Sequence, residues 1–176
     1  METEIITIDG PTSSGKNSVG FLLAQKLAYQ FIDTGMIYRL GTYLVLRNNI
    51  SLNDTSAITR VFENLNLEIK SAGRSLRIFN NGLDLTEQLH KSSVTENVPK
   101  VAAIKEVREV TKIIQRKLGK SQNTVMTGRD IGSEIFPQAK HKFFLTAKVE
   151  VRAKRRYEQL VKINPAVSYE DVLKSM

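Results

Sequence analysis

The chain has 176 residues, 41% hydrophobic and 25% charged, with 26 Lys plus Arg against 18 Asp plus Glu and no cysteine. This excludes a disordered or repetitive polymer, two full enzyme domains, a disulfide framework, and thiolate metal or redox chemistry. The formal charge of +8 draws polyanions, either nucleic acid or a nucleotide, while a start without a basic, then apolar, leader and the lack of any apolar run near ~18 residues make the cytoplasm the expected location.

In chain order, Ile5, Ile6 and Ile8 predict a short strand, followed at once by Gly10-Pro11-Thr12-Ser13-Ser14-Gly15-Lys16. Val19, Leu22, Leu23 and Leu27 then recur with helical period. Strand, glycine-bounded loop and helix is the order that a phosphate-binding loop requires. Tyr29 to Ile32 predicts a second strand ending at Asp33, and a helix from about Thr34 runs through Ile37, Leu40 and Leu44 to Arg47. Asn53 or Asp54 can cap a third helix with Ile58, Val61, Phe62 and Leu65 on its apolar side. From Asn66 the period changes to two: Leu67 and Ile69, a turn at Ala72-Gly73, Leu76 and Ile78, and a tight turn at Asn81-Gly82. That pattern predicts a small antiparallel insert able to move against the main sheet, followed by a polar stretch from Thr86 to Asn97.

A helix is expected from about Val101 to Leu118, with Ile104, Val107, Val110, Ile113 and Ile114 inward. A strand follows at Thr124 to Thr127, then the turn Gly128-Arg129-Asp130, a helical turn with Ile131 and Ile135, and a parallel strand over His141 to Thr146. Lys148 to Lys162 holds six basic residues among Val149, Val151, Leu160 and Val161, and reads as an amphipathic helix with a solvated face rather than a nucleic-acid groove. The alternation of strands and helices predicts an α/β fold with a parallel central sheet covered on both faces.

Backbone N–H groups at Gly10 to Gly15 can cradle phosphate oxygens while Lys16 reaches the outer phosphates. Asn17 stands where a phosphate loop usually has Ser or Thr, and Ser18 follows as the displaced hydroxyl for phosphate or magnesium. Asp33, Tyr38 and Arg39 fall near the carboxyl edge of the sheet, where ligands collect; Arg39 can clamp a phosphate, and an Asp33 helix cap beside a surface Arg39 is the alternative. Arg129 and Asp130 follow a strand in the same way and suit either a buried ion pair or phosphate and base contacts. Spacing alone makes Arg108 an ordinary solvated residue. His90 and His141 form no metal motif and read as surface or packing residues.

Taken together, ITIDGPTSSGK at 6–16, DTGMIYR at 33–39, VAAIKEVRE at 101–109, TGRDIGSEIFPQA at 127–139 and KFFLTAKVEVRAKRR at 142–156 resemble the bacterial cytidylate kinases, over nearly the whole chain. The resemblance implies a P-loop NTPase fold, with a core at 1–62 and 100–176 and a nucleoside-monophosphate-binding insert at 63–99. It implies a monomer that uses ATP as donor, Mg2+ as cofactor and CMP or dCMP as acceptor, without a nucleic-acid or membrane partner. UMP is the nearest alternative acceptor, and a basic nucleic-acid-binding module is the alternative of another class.

By the same resemblance Gly10, Pro11, Thr12, Ser13, Ser14, Gly15, Lys16, Asn17 and Ser18 bind the donor. Asp33, Thr34, Tyr38, Arg39, Arg108, Arg129 and Asp130 bind the acceptor, with Lys16, Arg39 and Arg129 as the catalytic set. Three positions depart from the family: Asn17 replaces Gly or Ser, His90 replaces a common arginine, and Pro99 replaces a serine that helps read cytosine. The resemblance also leads one to expect an arginine-rich lid and a final strand beyond Met176, and weak turnover without them.

Overall fold

A computed structural model describes residues 3–72 and 75–176. The first strand, β1 (Ile5–Asp9), buries Ile6 and Ile8 on one face and Thr7 on the other, as a strand covered on both sides requires. Helix α1 (Lys16–Leu27) starts directly after Gly15 and ends at Ala28, whose left-handed backbone closes the last turn on the Ala24 and Gln25 carbonyls. Strand β2 (Gln30–Asp33) leads into α2 (Gly35–Arg47), and α3 (Thr55–Glu63) is capped by the Asp54 carboxylate, which accepts from Ala57 N at 2.9 Å.

The predicted antiparallel insert is present as β3 (Leu67–Ala72), β4 (Ser75–Asn80) and β5 (Leu83–Asp84). Asn81 and Gly82 both take positive φ between β4 and β5, the conformation of a tight hairpin turn. Of the other expected turn, at Ala72-Gly73, Ala72 ends β3 and Gly73 lies outside the described residues.

Two helical expectations need correction. The polar stretch after the insert is itself helical, with a 3-10 turn over Thr86–His90 and α4 (Ser92–Ala102), Pro99 included. The helix expected to begin near Val101 starts instead as α5 (Lys105–Gly119), because the chain bends at Ala103 and at Ile104, which is extended. Ile113 is 66% exposed on α5, so the apolar side is narrower than the sequence suggests.

Strand β6 (Thr124–Gly128) is buried at every position, and a π-helical turn at Ile131–Ile135 follows it. Strand β7 (His141–Phe144) stops short of Thr146, although Leu145 N still donates to Asp9 O at 2.7 Å. Helices α6 (Val149–Leu160) and α7 (Tyr169–Lys174) complete the described chain.

The parallel sheet has the order β2-β6-β1-β7, with Asp9 opposite Gly128 and Asp33 opposite Thr127. Ile6, Ile8, Ala24, Phe31 and Val125 form one apolar cluster, and Ile32, Met126, Ile131, Ile135 and Phe136 form another. Since β6 lies between β1 and β2, the chain leaves the neighbouring strands β1 and β6 toward opposite edges of the sheet. A crevice therefore opens at their carboxyl ends. No helix among the described residues is long and apolar enough to cross a membrane.

Candidate active site

All four carboxyl edges of the parallel sheet contribute to one cavity of about 1460 Å3. From β1 come Thr12 to Ser18, from β2 Asp33 and Thr34, from β6 Gly128 to Ile131, and from β7 Leu145 to Ala147. Tyr38, Arg39 and Arg108 also line it. The structure therefore gathers the expected residues from segments far apart in sequence. Gly10 and Pro11 are the exceptions and lie outside the lining. A Cβ at Gly10 would stand 2.1 Å from the Leu145 carbonyl oxygen, so Gly10 lets β7 close against the loop. Pro11 contributes its carbonyl, which accepts from Lys16 Nζ at 3.2 Å.

Burial lowers the Lys16 pKa, with Asp33 opposing that effect, Arg129 adding to it and Asp9 opposing it. A half-buried ammonium bonded to one carbonyl has donors left for an anion. Asn17 turns away from the phosphate side: its amide donates to Asp33 Oδ2 at 2.6 Å, and its oxygen accepts from Thr127 Oγ1 at 2.9 Å. Asp33 also accepts from Gly35 N at 2.9 Å. Burial raises the Asp33 pKa against that bond and the nearby Lys16, Arg39 and His90.

On the α2 side of the cavity, Arg39 donates to Leu89 O at 2.8 Å and to Thr95 Oγ1 at 3.0 Å. Burial and then Arg156 lower its pKa, with Asp33 opposing, so cations outweigh anions around it. Thr34 is buried and gives its hydroxyl hydrogen to Thr127 O at 2.9 Å, leaving lone pairs rather than a donor. The Tyr38 hydroxyl bonds the Thr111 hydroxyl, and burial raises its pKa. Arg108, which spacing alone reads as solvated, stands 3.6 Å from Asp130. Arg129 donates to Thr12 Oγ1 at 3.2 Å, which ties the turn after β6 to the loop after β1.

Several residues that line or brace the cavity are not evident from sequence. Asp9 accepts from Ile131 N and Gly132 N, each at 2.8 Å, and thereby fixes the turn that carries Arg129 and Asp130. Helix α6 is not simply a solvated basic face. Arg155 donates to Ser13 O at 3.3 Å and Ser14 O at 3.0 Å, and Arg152 donates to Thr12 O at 3.4 Å. Arg156 lines the cavity with its pKa lowered by burial. Only the repeated arginine spacing at 152, 155 and 156 hinted at this. His90 also lines the cavity, which separates it from His141, a surface residue 3.3 Å from Glu4.

The loop fits a triphosphate. It ends at the start of a 12-residue helix that opens with Lys16, and the buried Ser14 hydroxyl has no partner. Among the described residues no cluster of His, Cys, Asp or Glu could hold a metal by itself. Were Mg2+ to bind together with a nucleotide, the exposed Ser18 hydroxyl on the cavity wall is a protein group that would meet the ion or the phosphates.

The family model for cytidylate kinase matches residues 6–176. A cytidylate kinase of Fusobacterium nucleatum is 39% identical over 176 residues, which is all of this chain and 79% of that protein. Those of Caldanaerobacter subterraneus and Carboxydothermus hydrogenoformans are 43% and 42% identical over 171 residues, covering 97% of this chain and 75% and 77% of theirs.

Proposed function

The chain belongs to the cytidylate kinase family, and on that premise we propose that it transfers the terminal phosphoryl group of ATP to CMP or dCMP. One observation carries this reading: a phosphate loop with Lys16 faces Arg39, Arg108, Arg129 and Asp130 across a single cavity. An oxygen of the acceptor phosphate attacks the terminal phosphorus of ATP, the bond to the bridging oxygen breaks, and its electron pair leaves with ADP. Such a reaction needs alignment and charge stabilisation more than covalent help.

Lys16 and the loop from Gly10 to Ser18 hold the donor. Arg39 clamps the acceptor phosphate, and Arg129, tied to Thr12, reaches the group in transit. Asp130 accepts from the exocyclic amine of cytosine, with Arg108 beside it. Thr34, Tyr38 and Asp33 shape the floor between them, and residues 63–99 form the acceptor-side insert. Magnesium, when bound, screens charge on the phosphates. The enzyme acts on small nucleotides as a cytoplasmic monomer in pyrimidine metabolism.

UMP is a second reading with an observation of its own. Pro99 lines the cavity without a side-chain donor or acceptor, which leaves base discrimination to Asp130 and Arg108. A coupled assay with CMP, dCMP, UMP and AMP tests both readings. Turnover is expected in the order CMP or dCMP, then UMP, then AMP; equal rates with CMP and UMP would remove the assignment of Asp130 as base reader.

A further inference from the structure

His90 ends the 3-10 turn after the insert and lines both the main cavity and a neighbouring groove of about 890 Å3 between α1 and β4. The residue before it, Leu89, is fully buried, and its carbonyl accepts from Arg39, which pins the backbone at His90 to the arginine assigned to the acceptor phosphate. Resting on the kinase reading above, we propose that His90 is a further ligand of the acceptor phosphate and takes up a proton when that dianion binds.

The charged groups around His90 support this. Arg39 of α2 faces it as a cation, while Asp33 at the end of β2 and Glu87 on its own turn face it as anions. Arg77 of β4 shares the groove wall but is paired with Asp84 at 3.0 Å. Lys16 and Arg156 line the same cavity. Partial burial and then Arg39 lower the His90 pKa, with Glu87 and Asp33 opposing, so the free site favours neutral imidazole. A phosphate dianion seated on Arg39 reverses that balance. Imidazolium then offers a second charge-assisted donor, which neutral imidazole cannot match.

The consequence has a definite sign. A His90 pKa higher in the complex than in the free protein strengthens acceptor binding below the free value. The gain is lost as pH rises through the bound value, up to about tenfold in Kd for each unit between the two.

Calorimetric titration of CMP at about pH 7.5, above the second phosphate pKa of ~6, in two buffers of different ionisation enthalpy tests the proposal. Wild type should show a buffer-dependent enthalpy equivalent to fractional proton uptake, whereas cytidine should show none. H90Q should bind CMP more weakly without uptake, and H90R should bind it with a flat pH profile. Buffer-independent enthalpy in wild type, or uptake that persists in H90Q, would overturn the proposal. Uptake that persists in H90Q and disappears in D33N assigns the proton to Asp33 instead. CMP that binds and turns over without uptake defeats the His90 inference alone, while CMP that neither binds nor turns over defeats the kinase reading and this inference together.

Discussion

At single residues the proposed reaction separates groups that would meet phosphate from groups that would position them, and the two kinds should fail differently. Lys16 keeps free donors beside the loop, so Lys16→Ala should reduce kcat by about 10²- to 10³-fold and weaken ATP in calorimetry. Asp130→Asn should cost about 1.5–3 kcal/mol more with CMP than with UMP, the scale of a hydrogen bond to a charged group, read as the difference in kcat/KM between the two acceptors. Asp33 carries a pH signature. Because burial raises its folded pKa, ionised Asp33 destabilises the native state at neutral pH, and the penalty fades as pH falls through that raised value toward the unfolded one. Asp33→Asn should therefore give a Tm difference, variant minus wild type, that is most favourable at pH 7 and falls in acid, while turnover drops and the bond from Asn17 or Gly35 is lost at every pH. Thermal melts across pH 4 to 8 check this; a difference that rises in acid would refute it.

At the level of elements, α6 holds the back of the phosphate loop through Arg152 and Arg155, whose guanidinium groups meet carbonyls some 140 positions away in sequence. Arg155→Ala should raise the KM for ATP by about tenfold, the value of one or two hydrogen bonds from a charged group, and leave the KM for CMP nearly unchanged. Arg155→Lys should recover part of the loss, because a point charge cannot bridge both carbonyls as a planar fork does. This contact also marks where the sequence stops being legible. The strand, glycine-bounded loop and helix at the start of the chain, the Asp54 cap and the Asn81-Gly82 turn are local signals and are readable as such. The bend at Ala103 and Ile104 was hidden, because Val101, Ile104 and Val107 keep helical period across it. Pro99 gave no warning of the helix around it. The inward arginines of α6 and the Asp9 clamp on the Ile131 turn depend on which strands become neighbours, and no short window of sequence contains that information.

Across the whole molecule, the insert is packed onto α2, so any movement against the main sheet should carry α2 with it. Ile78, Leu85 and Leu89 pack with Met36 and Leu40 of α2, and Ile69 touches both this cluster and the one around Ile32. Each such buried aliphatic side chain contributes about 1.5–3 kcal/mol, so the insert is held to α2 and carries Arg39 with it. The groove between α1 and β4 is open where Leu22 on its wall is 58% exposed, although Phe21 and Leu76 on the same wall pack against the Phe31 cluster. Closure over an acceptor should therefore narrow this groove and swing the insert with α2 toward α1, rather than bend the insert away from α2. Closure of that kind excludes water and strengthens the charge contacts in the cleft. The absence of cysteine makes the motion directly measurable, because two introduced cysteines are unique labelling sites. Spin labels at Lys26→Cys on α1 and Leu83→Cys on β5, both at exposed positions, should report a shorter separation when CMP and a non-hydrolysable ATP analogue are added together, and little change with ATP analogue alone. A control pair on α2 and β5, at Tyr43→Cys and Leu83→Cys, should hold its distance throughout. If that control pair moves while the α1 pair does not, the hinge lies inside the insert and the packing around Leu40 and Ile78 does not govern closure.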